Sequence, residues 1–195
     1  TAAAAAGAED GVAEDGVVEN GVVLLQQAAD VWVRVRRGHP EGYTAWSLGE
    51  VAASMVADAL RLTFRSWRPL QAPAFGTALM KQWQHAVGVG GGGGGGGSGS
   101  SPYDALIYLA VMPALRGALT NEWRVRSSDA AVDLLAAWRP LLPDALWQPL
   151  FDGQVLPRLA AELAAWQPRH DPTPPHLWLH PWLPLLPPPG LADLY

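Results

Sequence analysis

The sequence predicts an all-α protein: an irregular array of amphipathic helices preceded by a low-complexity N-terminal segment. Apolar residues recur at three-and-four spacing along most of the chain, which lines one face of a helix. Prolines and glycines fall where those faces end. A pattern of tryptophan, one residue and proline also recurs at 67–69, 138–140 and 166–168. Tryptophan packs a helix end against a neighbour, and proline two residues later forces the chain to turn. The intervals are unequal, so the array has no strict repeat period.

In chain order, residues 1–21 hold an alanine run and the repeat Glu9-Asp10-Gly11-Val12-Ala13, Glu14-Asp15-Gly16-Val17-Val18, Glu19-Asn20-Gly21-Val22. The Asp-Gly and Asn-Gly pairs would suit a hairpin, but so little apolar surface alternates that an acidic linker is the favoured reading. Residues 22–195 read as one helical domain, itself incomplete, because 195 residues at 49% apolar content support a single sizeable core. The start at Thr1 without methionine and the end at Tyr195 suggest a piece of a longer protein.

Within that domain, Ala52, Met55, Val56, Ala59, Leu60, Thr63, Phe64 and Trp67 form one helical face from Leu48 to Trp67, stopped by Pro69. Leu79, Met80, Trp83 and Val87 continue the spacing over 74–87. A Gly/Ser insertion follows at 88–101. Its uninterrupted run Gly90–Gly97 loses much backbone entropy on ordering and is expected to lack stable structure. It has neither the preceding strand nor the Gly-Lys-Ser/Thr ending of a phosphate loop.

Ser101-Pro102 starts the next helix, with Ile107, Val111, Ala114 and Ala118 on one face and a kink expected at Pro113. Ser128 or Asp129 caps a helix bearing Val132, Leu135 and Trp138, and another begins near Pro143. Gly153 is expected to divide that one from a last long helix with Val155, Leu159, Leu163 and Trp166 on its core face. Thr173 can cap, and Pro174 and Pro175 can open, a short helix that Pro181 ends.

Charge and composition exclude several functions. The net charge is −5, yet five acids lie in the first 21 residues with no base, leaving a neutral body without a broad footprint for nucleic acid. Absence of cysteine removes disulfides, thiolate nucleophiles and thiolate zinc sites. No run approaches the ~20 apolar residues of a membrane span, and Thr1 opens no signal-peptide pattern, so a soluble intracellular protein is expected.

The candidate chemistry is thin. His176 and His180 have the i, i+4 spacing of two metal ligands, but beyond His170 and Asp171 no further ligand stands near, so a structural role is favoured. Asp129 and Asp133 at a helix start suit the helix dipole better than an acid/base pair. No Gly-x-Ser-x-Gly elbow occurs. Neither an enzyme nor a cofactor or metal site is expected. Arg34, Arg36 and Arg37 form one basic cluster, and Arg116, Trp123, Arg124 and Arg126 another. The second is a candidate contact for RNA or protein if Trp123 is exposed, although a salt-bridged helix end is favoured.

The least generic segment is His176-Leu177-Trp178-Leu179-His180-Pro181-Trp182-Leu183-Pro184-Leu185. A helix this short needs another surface to pack on, from its own domain or from a partner. Trp178, His180, Pro181 and Trp182 are therefore candidate partner-docking residues.

That segment resembles the signature of the GCFC domain as found in the septin- and tuftelin-interacting protein family. The resemblance extends in order through Trp67-Arg68-Pro69-Leu70, Phe75-Gly76-Thr77, Lys81-Gln82-Trp83, Val111-Met112-Pro113 with Arg116, Trp123 and Arg126, Leu141-Leu142-Pro143, Leu156-Pro157-Arg158-Leu159 and Trp166-Gln167-Pro168. It covers about residues 43–195, with the glycine run as an insertion. The resemblance implies a GCFC-type helical scaffold from a nuclear pre-mRNA splicing factor acting in intron-lariat spliceosome disassembly. In that family a G-patch activates a DEAH-box helicase; this chain contains no G-patch, so the scaffold half is implied. Spliceosomal proteins and a companion GCFC-domain protein are the implied partners, with RNA contact only within the assembly and no membrane. The alternatives are a GC-rich-sequence DNA-binding transcriptional regulator and a generic helical adaptor outside splicing.

Overall fold

Every regular element among the described residues is helical, and there is no strand among them. The computed structural model describes residues 2–88, 101–171 and 173–185, with the backbone alone over 2–19. The expectation for Gly90–Gly97 lies outside the described residues. The elements are α1 (Ala2–Gly38), α2 (Pro40–Ala45), α3 (Leu48–Arg65), α4 (Thr77–Val87), α5 (Pro102–Leu106), α6 (Met112–Gly117), α7 (Asp129–Trp138), α8 (Asp144–Leu150), α9 (Leu156–Ala165) and α10 (His176–Leu179). The acidic repeat, read from sequence as a linker, has a helical backbone continuous with the rest of α1. The chain divides into two compact units, Thr1–Ser66 with Ala78–Ala110, and Trp67–Thr77 with Val111–Tyr195.

In the first unit α1 packs on α3, and α3 on α5. The α3 core face is Gly49, Ala52, Ala53, Val56, Leu60, Thr63 and Phe64. The sequence-based face is therefore rotated: Met55 and Ala59 point to solvent, and Trp67 lies beyond the last turn. The unit is locked at the C-terminus of α4, whose last carbonyls lack helical partners. Arg36 Nη1 donates to His85 O at 2.8 Å, and Tyr43 Oη donates to Ala86 O at 2.9 Å. Burial pushes the Tyr43 phenol above its ordinary pKa, while Arg36 opposes that rise. Gly49 completes the lock, since a Cβ there would stand 2.6 Å from Val87 O. Ser101 begins α5 with a full capping box: its Oγ accepts from Asp104 N at 3.1 Å, and Asp104 Oδ2 accepts from Ser101 N at 3.2 Å.

In the second unit the tryptophans close the turns that the prolines force. Trp67 Nε1 donates to Ala72 O at 2.8 Å and Trp166 Nε1 to Thr173 O at 3.1 Å, each across the turn that follows it. Trp138 Nε1 donates to Pro73 O at 3.0 Å, and its ring lies 5.2 Å from that of Trp67. The turns that follow Trp67 and Trp138 are thereby packed on one another. Trp138 ends its helix as expected, whereas Trp67 and Trp166 stand just past theirs.

One boundary differs from the sequence reading: Gly153 does not divide its helix, because a π-helical turn at Phe151–Val155 connects α8 to α9. Similar turns at Ile107–Val111 and Ala118–Glu122 connect α5 to α6 and extend α6, so the segment reaches Trp123 as expected. Proline lacks the N–H of the ordinary ladder and crowds the carbonyl four residues back. The wider π turn beside Pro113, and the one between Pro149 and Pro157, accommodate that defect without ending the helix. The cap positions differ too: Ser128 stands at the start of α7 but makes no side-chain cap bond, and α10 is preceded by Pro175 rather than capped by Thr173.

Candidate functional site

The segment His176–Leu185 has two sides. The four-residue spacing of Trp178 and Trp182 places both indoles inward, 1% and 0% exposed. His176, Leu177, His180, Leu183 and Pro184 face outward, with Pro181 between the two sides. The α10 helix is one turn long and passes into a 3-10 turn at His180–Trp182, where Pro181 fits the first position.

The socket for Trp182 is aromatic. The Trp182 ring lies 5.1 Å from Trp123 and 6.2 Å from Phe151, and Phe151 stacks on Trp147 at 5.2 Å. Arg158 supports the other side, its guanidinium 5.1 Å from the Trp123 ring centre. The same side chain donates to the carbonyls of Leu119, Thr120 (3.1 Å) and Trp123 (2.8 Å). It thus neutralises the unpaired carbonyl end of the helix that finishes at Glu122, where a cation is favoured. Cation–π contact and carbonyl capping by one arginine fix Trp123, which in turn backs Trp182.

A second ionic tie holds the loop before the segment. Arg126 Nε donates to Glu162 Oε1 at 2.5 Å, and its Nη1 and Nη2 reach Asp171 Oδ1 and Oδ2 at 2.8 and 3.3 Å. Gln167 N also donates to Asp171 Oδ2 at 3.2 Å. Hydrogen bonding from Arg126, then from the Gln167 amide, lowers the Asp171 pKa, and the two carboxylates raise that of Arg126. Asp171, which the sequence offered as a metal ligand, is an ion-pair partner instead.

The sequence candidates fall into different places. Trp123 is 2% exposed and offers no free face to a base, so the stacking geometry that would single out Arg116, Trp123, Arg124 and Arg126 is not assembled. Arg116 and Arg124 are at the surface, and Arg126 is in its carboxylate pairs. His176 and His180 are exposed with ring centres 5.7 Å apart, and among the described residues no group of three or more His, Cys, Asp or Glu side chains is placed to hold a metal. Sequence reasoning gave no role to Arg158 or Phe151. The available signal was that Arg158 is the lone base between Arg139 and Arg169.

Comparison with known proteins identifies the family. The family model described as GC-rich sequence DNA-binding factor-like protein, GCFC, matches residues 25–195, starting earlier than the motif-bearing region. A relative named tuftelin-interacting protein 11 from Xenopus tropicalis is 30% identical over 148 residues, 75% of this chain and 18% of the relative. Those of the same name from Danio rerio and Bos taurus are each 29% identical over 164 residues, 83% of this chain and 20% of the relative. The chain spans about a fifth of the length of these curated relatives. Neither the family description nor the relatives' name is that of an enzyme. Among the described residues, no helix is long and apolar enough to cross a membrane. The chain belongs to the GC-rich sequence DNA-binding factor-like family, and its GCFC region is of the kind found in tuftelin-interacting protein 11.

Proposed function

We propose that this chain is the non-catalytic scaffold part of a nuclear pre-mRNA splicing factor acting in intron-lariat spliceosome disassembly, with residues 22–195 as its helical domain. The observation that carries the reading is the two-sided His176–Leu185 segment. Both its indoles are buried, Trp182 in an aromatic socket, while His176, Leu177, His180, Leu183 and Pro184 form an outer surface. Rigid presentation of a small exposed ridge suits docking, because little side-chain freedom remains to be lost on binding. In this role Trp178, Pro181 and Trp182 hold the ridge, and His180 with the exposed leucines meets the partner.

The partners on this reading are spliceosomal proteins and a companion GCFC-domain protein, with a DEAH-box helicase engaged through a G-patch outside this chain. RNA contact is confined to the assembly. The resemblance of the motif series, the family match and the relatives named tuftelin-interacting protein 11 support it. Direct recognition of duplex DNA is not favoured, because the charge beyond residue 21 is balanced and Arg126 and Arg139 are paired with carboxylates.

The test is co-purification of spliceosomal proteins with the full-length protein carrying Leu177→Asp and Leu183→Asp together. The variant is expected to keep its circular dichroism spectrum and lose those proteins. Undiminished co-purification with a folded variant would remove the docking role from this ridge.

A further inference from the structure

Helix α1 presents apolar residues on two sides. Leu25 and Ala29 are buried against the first unit, as the amphipathic pattern requires. On the adjoining face Leu24 is 65% exposed and Val31 48% exposed, with Ala28 and Val35 half-buried beside them. These four positions follow a four-three-four spacing, and Val17 and Gly21 continue it toward the N-terminus. That is the spacing of a coiled-coil seam, in which a second helix covers every a and d position. A surface helix that needs only its own core keeps one stripe apolar.

The charges along α1 identify the covering helix. Glu9, Asp10, Glu14, Asp15 and Glu19 lie in its first half without a base, and Arg34, Arg36 and Arg37 close its C-terminal end. Arg36 is held by the His85 carbonyl, whereas Arg34 and Arg37 are exposed on the helix surface. A helix acidic at one end and basic at the other is complementary to itself when reversed. Parallel pairing would set five acids against five acids.

We propose that α1 is a self-association helix, pairing with α1 of a second copy in an antiparallel two-stranded coiled coil. In a two-fold arrangement each contact occurs twice. Centring the pair on residue 26 sets Leu24 opposite Ala28, Gly21 opposite Val31 and Val17 opposite Val35, so larger and smaller residues alternate along much of the seam. The same register brings Asp15 level with Arg37. The 37-residue helix is about 55 Å long, so the paired seam and both charged ends fit within it.

Sedimentation of the full chain across a dilution series tests the proposal, with a concentration-dependent mass of two copies expected. Leu24→Asp with Val31→Asp should weaken association by about a hundredfold or more while circular dichroism is retained. Arg34→Glu with Arg37→Glu should weaken it less, and adding Glu14→Lys and Asp15→Lys should restore it. The absence of native cysteine permits an orientation test with single-cysteine variants. Val17→Cys should cross-link to Val35→Cys in a mixture, and neither should cross-link to itself. A monomer at every concentration overturns the proposal, as does self-cross-linking of Val17→Cys or association unaffected by the Leu24 and Val31 substitutions in a folded variant.

Discussion

The two units use apolar surface in opposite ways. In the second, tryptophans at 67, 123, 138, 147, 178 and 182 are buried, and Leu177 and Leu183 are the large apolar residues left exposed among those described. In the first, Val23, Leu24 and Val31 on α1, Val51, Met55 and Leu62 on α3, and Trp46, Tyr108 and Leu109 are all exposed. One unit is closed on its own aromatic contacts, while the other carries helices apolar on their core side and partly apolar opposite it. The motif tryptophans are therefore buried, and the larger exposed apolar surface is formed mostly by ordinary aliphatic residues that no motif marks.

The harshest way to break that comparison is Trp178→Ala with Trp182→Ala. Removing a fully buried indole costs about 3–5 kcal/mol, so the pair should abolish the cooperative thermal transition of the second unit, seen as loss of near-ultraviolet dichroism. A double variant with an unchanged transition would show that these indoles are not core. Arg158→Met comes next in severity. It keeps much of the apolar stem but leaves the carbonyls of Leu119, Thr120 and Trp123 without their cation, and a loss of about 2 kcal/mol is expected in denaturant unfolding. In the first unit Gly49→Ala should cost about 1–3 kcal/mol, because its Cβ would meet the Val87 carbonyl, a backbone atom with no room to give.

These effects also mark what the sequence could and could not disclose. Helical spacing located the helices because it depends on local periodicity, and Ser101-Pro102 announced its cap because a capping box is local chemistry. The face of α3 was misjudged by part of a turn, since Met55 and Ala59 are apolar yet exposed, and a periodic pattern cannot tell core from a second, outer stripe. Gly153 suggested a break because the π turn that absorbs it arises from the continuing helix on both sides. The aromatic segment was recognisable at 176–185, but its orientation was not. Whether Trp182 faces a partner or its own domain depends on Trp123, Phe151 and, behind Trp123, Arg158, which lie tens of residues away in sequence. The pairing of Asp171 was likewise hidden, because its partner Arg126 is remote in sequence.

A milder effect concerns pH. Arg126 and the Gln167 amide depress the folded-state pKa of Asp171, so the carboxylate favours folding only when ionised. The contribution is complete above the unfolded-state value and is lost as pH falls through the depressed folded one, below about pH 4. Arg126→Gln should flatten this acid limb by lowering stability slightly above about pH 4 while leaving the low-pH end unchanged, and the loss is small because the pair is exposed. An unchanged acid limb in the variant would assign the dependence to other carboxylates.

The smallest expected effect is the most direct test of the contrast between units. If the outer stripe of α3 is unpartnered in the isolated chain, replacing Val51, Met55 and Leu62 by glutamine removes no packed surface. Glutamine is also as good a helix former as methionine or leucine and better than valine. The triple variant should then unfold within about 0.5 kcal/mol of the parent, as surface substitutions away from special features do. Its solubility should improve, because a contiguous apolar stripe has been broken. A loss above about 2 kcal/mol would mean that these side chains are packed in solution, and the first unit would then be as closed as the second.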